Sequence, residues 1–183
     1  AVFRFAAPRA PPREILTMRV VVPAVLPDSK QDLDKKLALL AAIPAVFRIQ
    51  IDVVDGQFAS PASWPYSAAA EELRRAVEQH DMLPHLDRIE YEIDLMCLDV
   101  GSAAGAWLTL GASRLTFHAE SAADLPRFLA GARKRYGDIV SFGLALNIES
   151  DLALIEHVVG KIEYVQFMGI ARIGVQGQLF DRR

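Results

Sequence analysis

Two hydrophobic periods alternate along this chain. Short apolar, often β-branched runs at about 19–25, 46–54, 89–96, 113–118, 139–146 and 162–168 predict strands. Between them the sequence turns to helical spacing, seen most simply in Leu33, Leu37 and Leu40. Helices are predicted at about 28–42, 68–80, 100–110, 121–136 and 150–159. Asp28 or Ser29 is placed to cap the first, Glu71 and Glu72 suit the first turn of the second, and Gly111 stops the third. The order is strand then helix, five times over, and then a sixth strand. Regular alternation of this kind predicts an α/β fold, a parallel sheet with helical crossovers, built either as an open doubly wound sheet or as a (β/α)₈ barrel.

The second predicted strand carries the first chemical signal. Ile49, Ile51 and Val53 share one face, while Gln50, Asp52 and Val54 share the other. A carboxylate on a half-buried strand needs a partner or a purpose, so Asp52 is either a site residue or the anchor of the loop after it. Asp55 fits a cap for the turn at Gly56, and Trp64 and Tyr66 fit packing of that loop. Polar residues recur near the other strand ends: Glu92 and Asp94, His118 and Glu120, Asn147, and Gln166. In a barrel such positions point inward at the C-terminal mouth, where active sites lie. His118 with Glu120 reads either as a metal pair or as a structural pair at the mouth, whereas His80, His85 and His157 read as solvated.

Composition narrows the class. The 183 residues, 52% hydrophobic, suit one domain with a sizeable core. A net charge of −3 without a basic block argues against a nucleic-acid surface. The single cysteine, Cys97, cannot close an internal disulfide and suits a reducing, cytoplasmic setting. No apolar run reaches the roughly 18 residues of a membrane span, so no membrane partner is expected. Residues 1–17, with Pro8, Pro11 and Pro12 among Arg4, Arg9 and Arg13, follow neither period. They read as an extension (a vector scar, a misassigned frame, a disordered tail or a transit peptide) ahead of a domain that starts at Met18.

Six segments in register resemble the ribulose-phosphate 3-epimerase family. Gln50-Ile-Asp52-Val-Val-Asp-Gly56-Gln-Phe58 is similar to its His-x-Asp-Val-Met-Asp-Gly-His-Phe, and Pro23-Ala24-Val25-Leu26 to its first-strand Pro-Ser-Ile-Leu. Glu92-Ile-Asp94-Leu-Met96 resembles Asp-Val-His-Leu-Met, and the segment from Gly111 through His118 to Glu120 resembles Gly-Ala-Asp-x-Ile-x-x-His-x-Glu. Gly143-Leu-Ala-Leu-Asn147 looks like Gly-x-Ala-Leu-Asn-Pro. Met168 and Gly174-Val175-Gln176-Gly177-Gln178-Leu-Phe180 look like the sixth-strand Met and its Gly-Phe-Gly-Gly-Gln-x-Phe loop.

The resemblance implies a (β/α)₈ barrel, here an incomplete one of about six parallel strands over 18–183. It also implies an isomerase that moves the proton at C3 of a ketopentose 5-phosphate between two carboxylates on opposite faces. A divalent metal would polarise the carbonyl. Carried over residue by residue, Asp52 is the strand-2 acid/base, and Met96 and Met168 line the pocket. Gly174, Val175, Gln176 and Gly177 stand in the loop that holds the phosphate through backbone N–H groups. The family's two metal histidines are replaced by Gln50 and Asp94, its first-strand Ser by Ala24 and its first pocket Met by Val54. A metal held by Asp52, Asp94 and Gln50 would be zinc, or more naturally Mg²⁺ or Mn²⁺, or none. The strand-7 carboxylate has no counterpart before Arg183, so a truncated barrel, inactive alone, with open edges that a second copy could cover, is expected. A non-catalytic sugar-phosphate-binding protein on the same fold is the other expectation.

Overall fold

The structure is a computed structural model that describes residues 21–67 and 71–182. The extension at 1–17, the start of the first predicted strand and the start of the second helix fall outside those residues.

Six parallel strands form one sheet in sequence order. They are β1 (Ala24–Val25), β2 (Arg48–Val54), β3 (Glu90–Met96), β4 (Arg114–His118), β5 (Ser141–Leu146) and β6 (Tyr164–Phe167). The helices between them are α1 (Lys30–Ala41), α2 (Glu71–Gln79), α3 (Val100–Thr109), α4 (Leu125–Tyr136) and the short α5 (Ala153–Glu156). Sequential parallel neighbours joined by helices are the winding of a (β/α) barrel, and the sheet curls into half of one; a doubly wound sheet would change direction at a switch point. Among the described residues β1 and β6 stay unpaired on their outer sides. No helix among them is long and apolar enough to cross a membrane.

Helices α1, α3 and α4 each begin where a capping side chain satisfies a free backbone N–H group. Ser29 Oγ accepts from Asp32 N at 3.1 Å, Asp99 from Ser102 N at 3.2 Å, and Asp124 from Arg127 N at 3.0 Å. Gly111, with φ of +101°, lets the chain leave α3 in a left-handed turn closed to most other residues. Three predicted spans differ. The described part of β1 is two residues long, Ala24–Val25. A 3₁₀ turn at Ala119–Ser121 occupies the start expected for α4. The expected helix at 150–159 is only α5 followed by a 3₁₀ turn at Val159–Lys161.

Alternation along the strands separates two environments. Ile49, Ile51, Val53, Tyr91, Ile93, Leu95, Leu115, Phe117, Phe142 and Leu144 are buried against the helices. Trp64 meets Trp107 edge-on with ring centroids 5.8 Å apart, and Phe117 packs on both Phe128 and Phe142. The opposite face of the sheet is polar. There Glu92 is buried, bonded by Arg114 Nε at 3.0 Å and by Thr116 Oγ1 at 3.0 Å. The Tyr164 hydroxyl pairs with Thr116 Oγ1 at 2.8 Å, and the Arg114 guanidinium lies 4.3 Å from the centre of the Tyr164 ring. The ring fits because Gly143 faces it: a Cβ there would come within 2.1 Å of it. Gly143→Ala is therefore expected to displace Tyr164 and cost about 1–3 kcal/mol, read from the midpoint of urea unfolding.

Candidate active site

One layer above Glu92, toward the C-terminal ends of the strands, two carboxylates stand side by side. Asp52 and Asp94 are register partners on β2 and β3. Parallel neighbours point the same way, so both face the interior and sit closer than free carboxylates would choose. The sequence surrounds them with nitrogen donors. Gln50 Nε2 donates to Asp52 Oδ1 at 2.8 Å and reaches Asp94 Oδ2 at 3.4 Å. Gln166, on β6, donates to Asp94 Oδ2 at 2.8 Å. His118 Nε2 lies 2.9 Å from Asp94 Oδ1, and because a carboxylate only accepts, that nitrogen carries the proton.

The cavity over this pair, of about 260 Å³, is lined by Gln50, Asp52, Asp94, Met96, Met168, Gly174, Val175, Gln176 and Gly177. Every site residue anticipated from the sequence thus meets at one mouth. Larger hollows lie on the helical face: that between α3 and α4 is lined mainly by apolar residues, and that between α1 and α2 by surface charges such as Lys30, Asp34, Glu72 and Arg75. Met168 Sδ is 3.5 Å from Gln166 Nε2, and Met96 is buried with Val54 and Ala59 under the loop. The loop over the cavity is held at both ends of its reach. Gln176 Nε2 bonds the Ala24 carbonyl at 3.2 Å and Asp52 Oδ2 at 3.3 Å, and Arg172 Nη2 bonds the Ser60 carbonyl at 3.1 Å. Gly174 lies where a Cβ would press to 3.3 Å on Val54 and Ala59, at φ of +76°, so a side chain would hold the loop away.

Burial, and then the charge of Asp94, push the Asp52 carboxyl up to about 7, against the opposing hydrogen bonds from Gln50 and Gln176. His118 is also shifted upward. Its burial favours the neutral ring, but the charge and hydrogen bond of Asp94, with help from Glu120, outweigh that. An acid poised near neutrality at a cavity wall can both accept and return a proton at physiological pH.

Residues around the site divide into those that face it and those that shape its rim. Asp55 Oδ1 accepts from the N–H groups of Gln57 and Phe58 at 2.7 Å each, and its Oδ2 accepts from Leu98 N at 2.7 Å. It is a turn anchor, as its Asp-Gly sequence suggested. Glu120 accepts from Asn147 N at 3.1 Å and from the Ser150 hydroxyl, tying the segment after β5 to the end of β4. The direct hold of His118 on Asp94, and those of Gln166 and Gln176 on the carboxylate pair, were not anticipated. Strand parity pointed His118 and Gln166 inward. Which carboxylate each would reach depends on how far the sheet curls, and no local pattern encodes that.

A neighbouring pair of acid groups at the C-terminal ends of parallel strands, under a loop from the last of them, defines a (β/α)-barrel site suited to proton transfer. The model of the ribulose-phosphate 3 epimerase family matches residues 20–183, and the chain belongs to that family. No curated protein sequence matches it closely enough to count as a relative.

Proposed function

We propose that this protein is an epimerase-like isomerase of a ketopentose 5-phosphate, with Asp52 as the acid/base on one face of C3. The observation that carries this is Asp52 itself: a carboxylate facing the cavity, part-buried beside Asp94, with its proton affinity raised to near neutrality. Removing a proton next to a carbonyl needs a base that is free at working pH but strong enough to pull, and a carboxyl near 7 meets both demands. Met96 and Met168 give the substrate carbons apolar walls, and Gly174, Val175, Gln176 and Gly177 line the same space, where their backbone N–H groups would hold a phosphate. His118 and Gln166 hold Asp94, and Asp94 keeps Asp52 basic. They are positioning residues.

Inversion at a carbon needs acid/base groups on both of its faces. Asp52 and Asp94 are the carboxylates that line the cavity among the described residues, and they stand on adjacent strands. This favours a second reading in which the chain binds a phosphosugar without inverting it. Ribulose 5-phosphate incubated with the protein in D₂O separates the two. The isomerase reading expects deuterium to enter at C3, catalysed by one face alone, with little or no inverted product from this 183-residue chain. The label should fail to enter with Asp52→Asn. Saturable binding with no label entering would favour the binding reading, and neither binding nor exchange would defeat both.

A further inference from the structure

The family resemblance implies a divalent cation at the Asp52 and Asp94 positions, but the donor set found there differs in kind. A cation needs lone pairs aimed at it, from carboxylates, carbonyls or unprotonated ring nitrogens. Here each carboxylate oxygen already faces an N–H group. Asp52 Oδ1 takes Gln50 and Asp52 Oδ2 takes Gln176, at 2.8 and 3.3 Å. Asp94 Oδ1 takes His118 at 2.9 Å, and Asp94 Oδ2 takes Gln166 at 2.8 Å and Gln50 at 3.4 Å.

The amide nitrogen of Gln50 therefore occupies the bridging position between the two carboxylates. Turning that amide over would set its oxygen against the same two acceptors, which is repulsive, so the carboxylates themselves dictate its orientation. The same holds for Gln166 against Asp94. The His118 nitrogen nearest the pair carries a proton and has no lone pair to give. Among the described residues, no group of three or more His, Cys, Asp and Glu side chains is arranged to hold a metal ion.

We infer that the amides of Gln50 and Gln166, together with the His118 ring, take the place of a divalent cation at the Asp52–Asp94 pair, so that this site keeps two carboxylates adjacent without a resident metal. Gln50 is the central positioning residue, because among the described residues it alone donates to both carboxylates. A neutral donor delivers less field than a divalent ion, so more of the stabilisation of an enolate-like substrate would fall to these N–H groups. The inference rests on the arrangement of donors and not on the epimerase reading. Metal uptake and turnover can therefore fail independently.

The test is metal uptake by the whole chain. Elemental analysis of the purified protein and calorimetric titration with Zn²⁺, Mn²⁺ and Mg²⁺ are expected to find neither a stoichiometric ion nor saturable binding. EDTA is expected to leave Tm unchanged. Gln50→Glu replaces the bridging donor with a third carboxylate and is expected to create saturable Mn²⁺ or Mg²⁺ binding, with a Tm that rises with added metal. Should that variant fold poorly, Gln50→His combined with Asp94→His offers two imidazoles and should take up zinc. One equivalent of tightly held metal in the unmodified protein, abolished by Asp94→Asn, would overturn the inference. Folded variants that take up no more metal than the unmodified protein would overturn it as well.

Discussion

Asp52→Asn is expected to abolish proton exchange on the substrate while making the protein harder to unfold above neutral pH. The loss should be at least the roughly 10²–10⁴-fold attributed to a positioned general base. The gain in stability follows from the raised carboxyl. The folded protein binds the Asp52 proton more tightly than the unfolded chain, whose carboxyl titrates near 3.8, because burial and Asp94 oppose the charge. The resulting stabilisation is fully present below about pH 4 and is lost as pH rises through about 7. His118, also raised, contributes in the same direction, its share being lost above its ordinary value of 6.5. Unfolding free energy should therefore fall by a few kcal/mol between pH 5 and pH 8 in the unmodified protein. The asparagine variant, unable to carry the charge, should show a flatter profile and exceed the parent at the alkaline end. Urea denaturation at a series of pH values tests this directly; a parent profile that rises from pH 5 to pH 8 would contradict it.

The largest loss of stability is expected from Arg114→Met. Glu92 is 6% exposed and depends on the Arg114 guanidinium at 3.0 Å, with Thr116 and Tyr164 completing the layer. Removing one partner of a buried pair strands the other charge, at a cost of about 3–5 kcal/mol. Glu92→Met combined with Arg114→Met removes both charges and should recover much of that loss, whereas Glu92→Met alone leaves the arginine free to bend toward water. Chemical denaturation of the three variants forms the cycle. If the double variant were as unstable as Arg114→Met, the pair would be holding the layer by shape and not by charge. This layer lies directly beneath the carboxylate pair, so its collapse would also be read as loss of proton exchange.

Much of the site is legible along the chain because strand alternation is strict. Once 46–54 reads as a strand, Gln50 and Asp52 must share a face, and the same parity places Glu92 with Asp94 and points Gln166 inward. Turn chemistry is equally local, so Ser29, Asp55, Gly56 and Gly111 are found where their sequence predicts them. The α5 region shows the limit. A helix was expected over 150–159, but the segment forms only the short α5 and a 3₁₀ turn at Val159–Lys161.

The amino-acid sequence by itself therefore determined the order of elements, the inward set of polar residues and the family, since each rests on periodicity or on side-chain identity at fixed spacing. The tertiary structure alone decided which groups meet. Curling the sheet brings Gln166 from β6 to Asp94 on β3, and folds the loop so that Gln176 reaches Asp52. It also turns His118 from a neighbour of Glu120 in sequence into the partner of Asp94. These contacts span dozens of residues and depend on the twist accumulated between strands, a property of the assembled sheet that no local stretch of chain contains.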